Sequence, residues 1–121
     1  MKWEKPSKET LDLFEEVVPD GPMIEHRKMF GLPCAFINNN MFIGVFKQTL
    51  FIRLSEEDRN EFLRLPDASR FEPMPGRTMK EYVVIPDAVL HDDATLSTWI
   101  QRSVAYTSSL PPKEKKKNKK Q

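Results

Sequence analysis

The sequence has few of the residues that mark several common protein classes. Cys34 is the one cysteine among 121 residues, so no disulfide can form within the chain and a reducing cytoplasm is the expected compartment. The four glycines never cluster into a phosphate-binding loop, and no apolar run approaches the roughly 20 residues that cross a membrane. The first residues also lack the apolar segment of a signal peptide. These absences favour a soluble, cytoplasmic protein without a membrane partner.

Metal-binding and catalytic patterns are missing as well. His26, Cys34 and His91 lie far apart in the sequence, and no Cys-x-x-Cys or His-x-x-x-His pair occurs. Cys34 lies within an apolar segment, where a free cysteine usually packs as a small hydrophobic residue. A catalytic thiol would need a base within hydrogen-bond reach, which no motif supplies. We therefore expect no enzymatic activity, no metal and no cofactor.

Charge is divided unequally along the chain. Residues 113–121 hold six of the 19 basic and one of the 18 acidic residues, a net charge of +5, which leaves −4 on residues 1–112. This division predicts a folded domain over residues 1–112 and a disordered lysine-rich tail over residues 113–121. The tail offers six candidate phosphate contacts, which would bind nucleic acid without reading its bases: Lys113, Lys115, Lys116, Lys117, Lys119 and Lys120.

Three segments have the apolar spacing of helices. The expected N-caps are Ser7, Ser55 and either Asp92 or Asp93, and acidic residues follow Ser55 in the first turn. Pro66 ends the second helix because proline cannot continue one. The apolar positions of the first and last helices are Leu11, Phe14, Val17, Val18, Leu96, Trp99, Ile100 and Val104.

Short apolar segments between turn residues predict the strands. Residues 38–40 are expected to form a hairpin turn, because asparagine tolerates positive φ. Residues 67–79 contain Pro73, Pro75 and Gly76 and are expected to be mostly loop, with a short strand near Phe71. The predicted strands are 24–29, 34–37, 41–46, 50–54 and 81–85.

This order of elements, α-β4-α-β1/2-α, predicts an α+β fold. Connections this short favour an antiparallel meander, so we expect two layers: an antiparallel sheet of about five to six strands with three helices packed on it. The core is expected to depend on Phe30, Phe42, Phe51 and Trp99. Alternation of Phe36, Phe42, Phe46 and Phe51 indicates one buried sheet face, which we prefer to a base-stacking platform for RNA.

One run of residues resembles a known family. Arg27 to Gly31 is similar to the Met-Phe-Gly signature of the TfoX/Sxy family, N-terminal domain, and the resemblance continues through residues 40–42, 50–54 and 82–86 and Trp99. The resemblance implies a small antiparallel sheet with helices packed on it, similar to secretion-chaperone-like proteins, which often form dimers. It implies no catalytic residues. The competence regulators of this family carry a second, helical domain, so the resemblance here is to a stand-alone form without it.

Basic residues near that signature form the candidate binding site. The preferred interpretation of the run is structural, because Met29 and Phe30 can be core residues and Gly31 permits a tight turn. In the alternative interpretation Arg27, Lys28, Arg77 and Lys80 converge and bind an acidic protein partner. We therefore expect a non-enzymatic interaction or regulatory domain with an unidentified protein partner, and a homodimer. The alternative is a nucleic-acid-associated regulator that uses the basic tail.

Overall fold

Six strands form one antiparallel sheet in the order β1-β2-β3-β4-β6-β5. The computed structural model describes residues 5–29 and 31–112. The strands are β1 (Ile24–Met29), β2 (Leu32–Ile37), β3 (Asn40–Phe46), β4 (Thr49–Arg53), β5 (Ser69–Met74) and β6 (Arg77–Val84). The helices are α1 (Lys8–Val17), α2 (Glu56–Phe62), α3 (Asp87–Leu90) and α4 (Asp93–Ser109).

The three predicted helices begin at capping residues named from the sequence. The Ser7 hydroxyl accepts a hydrogen bond from the Thr10 amide, and the Ser55 hydroxyl accepts one from Asp58, both at 3.2 Å. Asp92, rather than Asp93, caps α4 through the Thr95 amide. The additional helix, α3, was not predicted, because four residues are too few to show helical spacing.

The first four strands form the predicted antiparallel meander. Asn38 and Asn39 have φ values of 52° and 67°, the left-handed conformation that a two-residue hairpin turn requires. The two-layer α+β prediction is thereby confirmed, with six strands in the sheet.

The prediction that residues 67–79 are mostly loop was wrong. They form β5 and the start of β6, a hairpin in which Phe71 pairs with Met79 and Met74 pairs with Arg77. Gly76, at φ 82°, makes the turn. Pro73 is tolerated because β5 is an edge strand, where a missing amide hydrogen need not break a ladder bond.

One face of the sheet is covered by helices, with α4 crossing β2, β3 and β4. Trp99 is 6% exposed and meets Phe62 edge to face at a centroid distance of 4.9 Å, so its predicted core position is confirmed. Phe42 is fully buried in the same layer. Phe30 lies outside the described residues. No helix within residues 5–29 and 31–112 is long and apolar enough to cross a bilayer.

A β-bulge separates the four phenylalanines that were expected on one face. The register shifts between Ala35 and Phe36, so β3 has one extra residue and both Phe42 and Ile43 pack toward the helices. The Ser103 hydroxyl on α4 donates to the carbonyl oxygen of Phe42 at 3.1 Å. Phe51 is buried in a second cluster, against which Phe36 and Phe46 pack. The single-face prediction was therefore wrong.

Candidate functional site

The second face of the sheet contains an open apolar groove of about 790 Å³. That volume falls within the range of about 300–1,000 Å³ typical of ligand-binding clefts. Residues of all six strands line it together with Lys5, Pro6 and Leu11, which precede or begin the first helix. Its sheet residues include Met29, Leu32, Cys34, Met41, Gly44, Phe46, Phe51, Phe71, Pro73 and Met79.

Gly44 determines the shape of the groove floor. It lies directly across from Phe51 in the β3–β4 register, and a Cβ atom at Gly44 would come within 2.5 Å of the Phe51 ring. The missing side chain therefore lets the Phe51 ring lie flat over β3. Phe51 stacks on Phe71 with centroids 4.0 Å apart and planes 9° apart, and Phe71 meets Phe46 edge to face at 5.1 Å.

Tyr82 contacts the aromatic floor from the side of β6. Its ring meets Phe51 edge to face at 5.7 Å, and its hydroxyl donates to the Met41 carbonyl oxygen at 2.9 Å. Burial is the main cause that raises the pKa of Tyr82, to about 12. Tyr82 thus remains a neutral donor at physiological pH and anchors β6 to β3.

Cys34 belongs to the same floor and is 2% exposed. Its thiol donates a weak hydrogen bond to the Arg27 carbonyl oxygen at 3.5 Å. Burial raises the pKa of Cys34, and the Arg27 charge opposes this change. A protonated, buried thiol is a poor nucleophile, which agrees with a packing role.

The edges of the groove face are basic. Lys5 is the charged residue among the described groove-lining side chains. The Lys47 ammonium lies 5.3 Å from the Phe46 centroid, and the Arg27 guanidinium lies 4.3 Å from that of Phe36. Arg27 is paired with Glu25 at 2.8 Å, so Lys5 and Lys47 are the cations that would favour a bound molecule with negative charge beside its apolar part.

The four basic residues proposed from the sequence lie on two separated strands. Arg27 and Lys28 are adjacent on β1 and therefore project to opposite faces; Arg27 pairs with Cys34 and lies on the groove side. Arg77 and Lys80 are on β6, beyond β2, β3 and β4.

Arg27 also bonds Glu25 at 2.8 Å and Asn39 at 2.6 Å. Lys80 lines a smaller polar depression with Arg59 and Arg70. A role of the four in binding a partner stays a prediction, and the six tail lysines lie outside the described residues.

The groove itself was missed in the sequence. The available signal was Gly44, a glycine inside an apolar strand, which often marks a close approach of another group. Methionines at 29, 41 and 79 were a second signal, since methionine is common at adaptable binding surfaces. Among the described residues, no cluster of three or more His, Cys, Asp or Glu side chains could hold a metal.

Comparison with known proteins identifies the family. No curated protein matches the chain. The model of the TfoX N-terminal domain matches residues 13–106 of the 121, a range that includes all six strands. The match confirms the resemblance carried by residues 27–31 and supports a regulatory or interaction domain in general terms. The chain therefore belongs to the TfoX N-terminal domain family.

Proposed function

We propose that this domain is a protein-interaction module whose groove holds a partner segment with bulky apolar side chains flanked by acidic residues. The observation that carries the proposal is the concave apolar face built on the stacked rings of Phe51 and Phe71. Contiguous apolar surface of this kind is uncommon on monomeric proteins and marks interaction sites.

The side chains of the groove suit a peptide ligand. Aromatic residues and methionine are enriched at protein interfaces relative to the remaining surface. The stacked phenylalanines form a rigid floor, whereas Met29, Met41 and Met79 are unbranched and can adapt to a ligand's shape. A groove with this combination can accept one or two large apolar anchors.

The charge preference follows from the cations near the groove. Residues 1–112 carry a net charge of −4, yet Lys5 and Lys47 lie on or beside the groove face, where Arg27 is also present as an ion pair with Glu25. A local field opposite in sign to that of the whole body would select acidic partners and orient them during encounter. Binding should therefore weaken as ionic strength rises.

The proposal is tested first by locating the contact. A photo-crosslinking amino acid at Leu11, on the groove, is compared with one at Thr98, which is exposed on α4. We expect crosslinks from position 11 to one protein segment with acidic residues around apolar ones. Equal capture from both positions, or capture of nucleic acid alone, would contradict the proposal.

The second step measures affinity with the crosslinked segment as a synthetic peptide. Met79→Glu places a carboxylate in the groove and should weaken binding at least tenfold, about 1.4 kcal/mol. Met74→Glu is the matched control, because Met74 is on the same hairpin but 51% exposed and outside the groove lining. Equal affinities of the two variants would show that the groove is not the binding site.

A further inference from the structure

We propose that the polar depression between α2 and β6 binds a phosphate monoester group, the phosphate at the end of a molecule or on a side chain. The depression has a volume of about 400 Å³, which falls within the range of ligand-binding clefts. Among the described residues, it shares no lining side chain with the apolar groove, so the proposal stands apart from the function assigned to that groove. The lining residues are Glu56, Arg59, Asn60, Arg70, Thr78 and Lys80.

Three cations from three elements meet in this depression. Arg59 is on α2, Arg70 is on β5 and Lys80 is on β6, so the fold brings together charges that are far apart in the sequence. Within residues 5–29 and 31–112, none of the three forms an ion pair. Since residues 1–112 carry a net charge of −4, a local group of unneutralised cations favours an anionic ligand at this place.

Acidic side chains on the same elements are held by other groups. Asp58 and Glu61 on α2 both pair with Arg102 of α4, at 3.4 and 3.0 Å. Glu81 on β6 pairs with Arg53 of β4 at 2.7 Å. These carboxylates are therefore balanced where they lie and do little to neutralise the depression.

The charge of the depression matches that of a phosphate monoester. Three cations less the carboxylate of Glu56 give the lining a formal net charge of +2. A phosphate monoester carries about −1.5 to −2 at pH 7, whereas a phosphodiester or a carboxylate carries a single charge and would leave positive charge uncompensated. The Asn60 amide and the Thr78 hydroxyl add neutral donors for the three phosphate oxygens.

Arg59 is positioned before any ligand binds. Its side chain is half-buried, and its guanidinium donates to the Lys80 carbonyl oxygen at 3.2 Å. This bond joins α2 to β6 and uses one of the five N–H donors of an arginine. Guanidinium and phosphate geometries suit paired hydrogen bonds, so a guanidinium fixed at the wall of a depression is well placed to bind phosphate.

NMR titration of the full-length chain tests the proposal with phenyl phosphate as the monoester probe. We expect saturable shifts of the backbone amide signals around the depression, and at least about threefold weaker binding of dimethyl phosphate, which has one charge less. Binding should also weaken as ionic strength rises. Equal affinities for the two probes would point to a phosphodiester backbone and would overturn the monoester proposal, as would the absence of saturable shifts.

Two charge substitutions should act in opposite directions. Arg70→Gln should weaken phenyl phosphate binding at least about threefold, and Arg64→Gln, an exposed arginine outside the lining, should leave it unchanged. Glu56→Gln should tighten binding about two- to fivefold, the range of one exposed charge pair, and Glu57→Gln is its matched control. A merely structural role would not produce opposite signs. Equal binding by Arg70→Gln and Arg64→Gln would refute the site.

Two pairs of ligands distinguish the source of the phosphate. A nucleoside monophosphate is compared with its nucleoside, and a phosphoserine peptide is compared with the same peptide carrying serine. We expect binding to require the phosphate in at least one pair, and the tighter phosphorylated ligand identifies the source. No difference within either pair would contradict the proposal. Neither result bears on Met79→Glu, so this proposal and that for the groove can fail separately.

Discussion

Gly44 and Phe51 show how one missing side chain shapes the groove. The Phe51 ring occupies the space where a Cβ atom of residue 44 would lie, and it stacks on Phe71 from that position. A single added methyl group must therefore displace the ring or the strand beneath it.

We expect Gly44→Ala to lower the free energy of unfolding by about 1–3 kcal/mol, the usual cost of forcing extra volume into a packed site. Denaturant titration measures this change. Gly21→Ala is the matched control, because a Cβ there meets nothing within 4 Å, and it should change stability by less than about 0.5 kcal/mol. Equal effects of the two substitutions would contradict the geometry described for Phe51.

At the scale of elements, α4 holds the helical layer on the sheet. It is the longest helix, and it packs Leu96, Trp99 and Ile100 into the core. The Arg102 guanidinium also lies 4.7 Å from the centroid of the Trp99 ring. Trp99 thus links α4 to α2 through Phe62.

Trp99→Ala should destabilise the protein by about 3–5 kcal/mol and lower its melting temperature strongly, because it removes a buried aromatic ring. Thermal unfolding followed by circular dichroism measures the effect. Thr98→Ala, at the exposed neighbouring position, should leave the melting temperature nearly unchanged. An unaltered melting curve for Trp99→Ala would remove this residue from the core.

Elements defined by local signals were predictable. Helix caps at Ser7 and Ser55 and the turn at Asn38 and Asn39 depend on the conformational preferences of a few adjacent residues, and all occur as expected. The β5–β6 hairpin was missed because Pro73, Pro75 and Gly76 are residues typical of a loop. Its strand β6 also pairs with β4, a contact between residues far apart in the sequence that no local pattern reveals.

The candidate site was harder to predict than the fold. Alternation along a strand shows which residues share a face, but not which face the helices cover. The extra residue at Phe42 then reversed the alternation within β3. Of the four basic residues chosen from the sequence, Arg27 lies on the groove side. Arg27 on β1 and Lys80 on β6 are far apart because the strand order places β2, β3 and β4 between them.

At the scale of the whole molecule, homodimer formation remains a proposal. The edge strands are β1 and β5. Glu25, Arg27 and Lys28 on β1 are charged, and β5 contains Pro73. These features discourage pairing of sheet edges, so a dimer would more readily use another surface. Light scattering at micromolar concentration should give twice the monomer mass of 14.1 kDa. A mass of one monomer across all dilutions would refute the dimer.

The lysine-rich tail leads to a second proposal, weak binding to nucleic acid. Each neutralised phosphate contributes about 0.7–0.9 to the slope of log affinity against log salt, so six lysines limit that slope to about 4–5. We expect binding at low salt that disappears at physiological salt and on deletion of residues 113–121. Tight binding by residues 1–112 alone would instead identify the folded surface as the nucleic-acid site.

The central claim, that the apolar groove is where a partner binds, is tested most directly with a thiol at Met29, which lines the groove and is 38% exposed. Met29→Cys is made together with Cys34→Ala, which removes the buried native cysteine, so that the rate of alkylation by N-ethylmaleimide reports access to the groove. We expect the rate to fall as the partner peptide is added, with half of the decrease at the dissociation constant from an independent titration. An alkylation rate that is unchanged at saturating peptide would show that the partner binds elsewhere.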